Sequence, residues 1–330
     1  MIRSFATRLR RARFALPAVA CAATALAVPA AASAAVGPTV IATVGVGTTP
    51  LGAAANQVTN VIYVDNARGN TVSVIDGWTN AVTATIPVGA APHGVATDWR
   101  TNTAFVTNAV GNTVSVIDGL ANLVTETVRV GVNPVGVAVD VPSDTVYVAN
   151  FGSNTVSVID GQTDTVTATI PVGAKPSGVA MNPVTDTVYV TNSAANTVSV
   201  IDGRSKTVTG TIPVGKAPLA IGLSTATDTV YVANHADNTV SVIRGRTNRV
   251  TATIPVGKEP FQVAASPLTD RIYVADFSDN TVSVINGRTK TVTATIPVGN
   301  APFGVMIDKM TGLVYVTNAG DNTVSVVARH

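Results

Sequence analysis

Three observations predict an all-β fold, a single seven-bladed propeller of four-stranded blades. The heptapeptide Asn-Thr-Val-Ser-Val-Ile-Asp stands at Asn70–Asp76, Asn112–Asp118, Asn154–Asp160 and Asn196–Asp202. It recurs with altered last residues from Asn238, Asn280 and Asn322, always 42 residues on. A fixed period of about 40 residues marks a ring or a solenoid rather than two separate domains. Each period holds four β-rich runs separated by Asn, Asp, Gly and Pro, with no helical spacing. The run from Thr39 to Gly47 matches the fourth strand of a period, and the run from Asn322 to Val327 matches the third. The first strand can therefore complete the last blade. A solenoid, which needs polar caps at its ends, gives no reason for that phase match.

The first 34 residues differ from the rest. Arg3, Arg8, Arg10, Arg11 and Arg13 form a basic stretch without an acid, Phe14 to Ala32 is an Ala-rich apolar run, and Ala32-Ser33-Ala34 has the small-x-small form of a cleavage site. This pattern predicts a secretory signal peptide over 1–34 and a propeller over 35–330. The expected location is outside the cytoplasm: extracellular, cell-surface or periplasmic. A retained anchor is the alternative. Arg13 stands where a twin-arginine motif wants an apolar residue, and Ala18-Val19-Ala20-Cys21 is a poor lipidation box. The chain has 21 basic and 19 acidic residues, and removal of the five N-terminal arginines leaves 16 against 19, a net charge of −3. Global charge therefore gives no reason to expect nucleic acid or an anionic membrane. Cys21 is the one cysteine, so the expected mature chain has neither disulfide nor thiol chemistry. A content of 46% apolar and 12% charged residues is enough for a large core.

The copy from Ala174 to Gly215 illustrates the unit. Strand A falls at Ser177–Met181, B at Thr187–Thr191, C at Thr197–Ile201 and D at Thr207–Val214. Pro87, Pro171, Pro213, Pro255 and Pro297 lie in strand D, which predicts that D is an edge. Strand A is short and made of Gly, Ala and Val, as the crowded centre of a ring requires. Strands B and C carry apolar or small residues on both sides, as strands buried on both faces do. The Asn closing strand B is expected to form an Asx turn, and the Asn opening strand C to take positive φ. Pro50, Pro92, Pro134, Pro176, Pro218, Pro260 and Pro302 stiffen the D-to-A crossing.

Strand B repeats a tetrapeptide: Tyr63-Val64-Asp65-Asn66, Phe105-Val106-Thr107-Asn108, Tyr147-Val148-Ala149-Asn150, Tyr189-Val190-Thr191-Asn192, Tyr231-Val232-Ala233-Asn234, Tyr273-Val274-Ala275-Asp276 and Tyr315-Val316-Thr317-Asn318. The series resembles the YVTN β-propeller repeat family, which occurs in surface-layer proteins and in secreted and periplasmic bacterial proteins. The resemblance covers 37–330 and implies the fold. It implies little about function, because the motif residues of that family are structural.

Function is sought where the repeat is broken. The residue after each crossing proline reads Leu51, His93, Val135, Ser177, Leu219, Phe261, Phe303, and the residue after the strand-B Asn or Asp reads Ala67, Ala109, Phe151, Ser193, His235, Phe277, Ala319. Both sets fall on the face of the D-to-A and B-to-C loops. Phe151, Phe261, Phe277 and Phe303, with Lys258 beside them, predict an aromatic patch for a sugar face, a lipid-like group or a peptide. The plain structural reading is that Phe261 and Phe303 plug the channel. His93 and His235 share this face, but on blades two and five, and two distant imidazoles do not make a metal site. On the other face Arg204, Lys206, Arg244, Arg246, Arg249, Arg288 and Lys290 gather in the C-to-D hairpins of blades four to six. DNA or an acidic cell-wall polymer is the ligand class such a rim takes, and a solvated basic edge is the plain alternative. No nucleophile–base pair and no haem or copper motif stands out, so no cofactor or metal is expected. The sequence thus favours a secreted, monomeric, non-enzymatic binding or cell-surface scaffold module, with a protein, carbohydrate or cell-envelope polymer as partner. The alternative is a hydrolase or lyase of the lactonase or streptogramin-lyase kind on the same loop face.

Overall fold

A computed structural model describes residues 37–266 and 269–328. The segment 1–34, expected to be a signal peptide, lies outside the described residues.

The strands assemble into seven four-stranded sheets. In blade 1 strands A (Pro50–Asn56), B (Val61–Asn66), C (Thr71–Asp76) and D (Ala81–Pro87) pair in sequence order, all antiparallel. Blades 2 to 6 repeat this order. Blade 7 takes its strands A (Pro302–Ile307), B (Val314–Asn318) and C (Thr323–Ala328) from the end of the chain and its strand D (Thr39–Gly45) from the beginning. The A strands of successive blades lie against one another, and that of blade 7 lies against that of blade 1, so the ring is closed.

Strand D is the outermost strand of every sheet. Its proline ends the strand instead of interrupting it, opposite the first Thr of strand C, as in Thr71 against Pro87. A residue without an N–H at that end costs no ladder bond. The core lies between blades. Tyr189, Val198 and Val200 of blade 4 pack on Ile221, Val230, Val232 and Ile243 of blade 5. Val188 and Val190, turned the other way by the two-residue period, pack on Tyr147 of blade 3. Seven such clusters fill the seven blade interfaces. Full burial of each large side chain contributes roughly 1.5–3 kcal/mol.

The Asn closing strand B does not make the expected Asx turn. Its Nδ2 donates across the hairpin to the Thr and Ser of Asn-Thr-Val-Ser at 2.9–3.1 Å in six blades. Blade 6 has Asp276 there, which accepts from Ser283 Oγ at 2.6 Å and, more weakly, from Thr281 Oγ1 at 3.4 Å. Burial raises its carboxyl to about 6, against the lowering effect of Ser283. The preceding blade's Pro-Val-Gly glycine seats on this Asn: a Cβ on Gly215 would lie 2.6 Å from Asn234 Cγ. The Asn opening strand C has the expected positive φ, between 52° and 57° in all seven blades. Its Oδ1 accepts the amide of the residue before the crossing proline at 2.8–2.9 Å in every blade. In blade 7 that bond joins Asn322 to Thr49, across the meeting of the two chain ends.

Two contributions can be separated at Asn196. Asn196→Gly keeps the backbone free to take positive φ and loses one hydrogen bond, and it is expected to cost about 0.5–1.5 kcal/mol. Asn196→Ala adds the left-handed penalty, a further 1–2 kcal/mol or so. Chemical-denaturation midpoints of the two variants measure both terms.

Candidate functional site

The short A strands alternate, so every second residue faces the axis. At the D-to-A mouth the first inward ring is Leu51, His93, Val135, Ser177, Leu219, Phe261 and Phe303. All of these but Leu51 line a cavity of about 340 Å³, together with Val95, Val137, Val179 and Ile221 one layer deeper. Phe151 enters from the B-to-C loop of blade 3, with Lys175 Nζ 5.4 Å above its ring.

The rings form one chain across the mouth. His93 meets Phe303 edge-on at 5.6 Å, Phe303 lies against Phe261 at 4.4 Å with 32° between planes, and Phe261 meets His235 at 4.7 Å and Phe277 at 5.0 Å. The aromatic patch expected on blades 6 and 7 thus reaches blades 2 and 5 through the two histidines. Phe277 and His235 buttress Phe261 from outside the cavity. Lys258 also stays outside, exposed on the rim, with an ion pair of 3.9 Å to Asp279. The imidazoles of His93 and His235 are separated by the Phe303 and Phe261 rings, so they share no substrate atom. Burial lowers the His93 imidazolium to about 4, which leaves this residue neutral near pH 7. Among the described residues no cluster of three or more His, Cys, Asp or Glu could hold a metal.

Asp65 is the residue that sequence reasoning passed over. The third position of the tetrapeptide is Thr in blades 2, 4 and 7, Ala in blades 3, 5 and 6, and Asp in blade 1. Thr107, Thr191 and Thr317 each accept a strand-A glycine amide (2.7–3.0 Å) and donate to a carbonyl of the following blade (2.6–3.0 Å). Asp65 accepts the Gly52 amide at 2.9 Å in the same way. The carbonyl opposite is that of His93: a Cβ on Gly52 would lie 2.5 Å from Asp65 Oδ2 and 3.2 Å from His93 O. Asp65 is fully buried and its Oδ1 has no partner. Burial raises the carboxyl to about 8, against the lowering effect of the Gly52 and Leu51 amides. A protonated carboxyl, like the threonine hydroxyl, can accept one bond and donate another; the bond that Asp65 accepts is that of the Gly52 amide. The visible signal was a charged residue at a buried position that is otherwise Thr or Ala.

On the other face Arg204, Arg244, Arg246, Arg249 and Arg288 are exposed, and Lys206 and Lys290 are half-buried. Lys206 Nζ sits 5.8 Å over the Tyr147 ring, and Arg288 approaches Asp270 at 3.8 Å. Arg244 and Arg249 stand directly opposite each other across the blade 5 hairpin. Such a like-charge pair is unfavourable without an anion. Arg244 and Arg246 also line a groove of about 530 Å³ beside the A-to-B turns of blades 4 and 5.

No family model matches the chain, and no curated protein matches it. Among solved structures it is similar to a chain of Kuenenia stuttgartiensis hydrazine synthase, with a TM-score of 0.77 and 19% identity over 86% of this chain and 96% of that one. At that identity the likeness concerns the fold alone.

The Asp65 carboxyl binds its proton more tightly in the folded chain than at its ordinary value of 3.8. The contribution of Asp65 to stability therefore falls as pH rises from about 4 to about 8 and levels off above that range, while His93, lowered to about 4 from 6.5, contributes in the opposite sense between those two values. Asp65→Thr is expected to remove the fall due to this carboxyl, most plainly between pH 6.5 and 8 where His93 no longer contributes a slope, and to gain on the order of 1–3 kcal/mol at pH 7. Denaturation midpoints measured across that pH range check both effects.

Proposed function

We propose that this protein is an exported, non-enzymatic binding module of the YVTN type, which takes its ligand at the aromatic cup of the D-to-A mouth. The observation that carries this reading is the placement of the phenylalanines. Among the described residues all four that lie outside the core, Phe151, Phe261, Phe277 and Phe303, belong to the same mouth, and each is half-buried with part of its ring open. Rings presented in a concave, weakly polar setting suit the flat face of a sugar or an apolar side chain of a partner. The ligand class is therefore a cell-envelope carbohydrate or polymer, or a protein segment. Export rests on the basic, apolar and small-residue pattern of 1–34. Membership of the YVTN type rests on the repeated tetrapeptide.

The spacing of the histidines favours binding over turnover. A hydrolase or lyase needs a base within reach of the reacting atom, and here two phenylalanine rings lie between the imidazoles. Asp65 is fully buried and holds the Gly52 backbone amide. A second surface is supported by one specific observation, the opposed Arg244 and Arg249. Together with Arg246 they suit an anionic polymer, whose binding would weaken with salt.

The test is a thermal-shift panel of oligosaccharides, cell-wall polymers and lactones on the wild type and on the Phe261→Ala, Phe303→Ala double variant. A true ligand at a hundred times its dissociation constant adds roughly 2.7 kcal/mol of stability. The expected result is a shift in the wild type that is lost in the variant, which still unfolds cooperatively. Turnover of a lactone that vanishes in His93→Ala or His235→Ala would overturn the non-enzymatic reading.

A further inference from the structure

The far mouth of the channel carries a second cavity of different chemistry. The axis-facing residues of the A strands continue down the bore, and at the A-to-B end Val139, Met181, Leu223 and Ile307 surround a cavity of about 480 Å³. Trp99 and the turn residues Pro142 and Pro183 close its side. The lining is mainly apolar, and Gln57, Thr97 and Thr225 are its uncharged polar members. Thr97 Oγ1 is already engaged, donating to the Ala55 carbonyl at 2.9 Å.

Lys309 is the one ionisable residue in the lining. It stands exposed at the rim and makes no ion pair among the described residues. The neighbouring acids are committed to their own turns. Asp308 accepts the Met310 amide at 2.9 Å and the Thr311 amide at 3.2 Å. Asp98 accepts the Arg100 amide at 2.7 Å, and Asp140 accepts from Ser143 Oγ at 2.5 Å. The apolar surroundings hold the Lys309 ammonium below its ordinary pKa, as befits a cation set partly out of water with no counter-charge. Arg100 adds positive charge nearby, its Nη1 reaching the Val141 and Pro142 carbonyls at 3.3 and 3.2 Å.

We propose that this mouth binds an amphiphilic monocarboxylate, with its alkyl or aryl tail in the cup and its carboxylate on Lys309. The charge pattern selects the class. One cation on an apolar concavity complements one anionic head with an apolar tail. An anionic polymer would call for a row of cations, and a neutral apolar ligand would leave the ammonium unpaired. The cup also has the size and apolar character of a small-molecule site.

Trp99 is a built-in reporter, because the chain has two tryptophans and Trp78→Phe leaves Trp99 alone. In that background, with residues 35–330, decanoate and decanol are titrated below micelle-forming concentrations and Trp99 fluorescence is followed. The expected result is a saturable change, with decanoate bound roughly five- to tenfold more tightly than decanol. Lys309→Met should remove that preference and leave decanol binding unchanged. Phe261→Ala with Phe303→Ala, at the other mouth, should leave decanoate binding intact, so failure of this site and failure of the aromatic cup are distinguishable. The absence of a saturable change, equal affinity for the two ligands in the wild type, or decanoate binding indifferent to Lys309→Met would overturn the proposal.

Discussion

A ring of sheets stands only if its last sheet meets its first, and here that closure depends on one antiparallel pairing. Strand Thr39–Gly45 lies beside Thr323–Ala328, in register from Thr39 against Ala328 to Gly45 against Thr323 apart from one bulge. The details repeat those inside the intact blades. The Val46 amide bonds to the Asn322 carbonyl at 3.0 Å, as Val88 does to Asn70 at 3.0 Å and Val214 to Asn196 at 3.1 Å. Everything inside the ring follows from this meeting. The A strands can line a bore only when all seven blades are held in a circle, and both mouths of the bore are built from those strands.

Between blades, packing and polar bonds work on the same few residues. The strand-B Tyr fills the space to the next blade. The strand-B Asn ties its own hairpin and receives the glycine of the blade before. These roles leave little freedom at the repeated positions, so chemistry is confined to the positions that differ. Asp65 and Asp276 are both carboxyls in places where the repeat has neutral groups, and burial raises both. Phe261 and Phe303 put bulk at an inward position that blade 4 fills with Ser177. Arg244 replaces the Asp of the earlier copies, whose carboxylate caps the following turn in blade 1 through the Trp78 and Thr79 amides.

Most of the architecture was legible because a repeat states the same pattern many times. Blade number, strand order, the edge position of D and the closure by the first strand all follow from period and phase. What was not legible depends on distances between residues far apart in the chain. The Asn of strand B could not be assigned to Thr and Ser of strand C without knowing the register. The link from His93 to Phe303 crosses from blade 2 to blade 7, which no local pattern reveals. Asp65 did carry a signal, a charge at a buried position, but its tetrapeptide read as a structural motif. Lys309 and Met181 attracted no notice because their cavity exists only when seven A strands converge.

The two mouths of one bore therefore differ, one lined by a chain of aromatic rings, the other mainly apolar with Lys309 as the one cation in its lining. Both depend on the ring behaving as one cooperative body closed by its first strand. Hydrogen–deuterium exchange on residues 35–330 and on a chain lacking 37–47 tests that claim most directly. Loss of amide protection in strands B and C of all seven blades on truncation is the predicted result. Loss confined to Thr323–Ala328, with the other blades as protected as before, would contradict it.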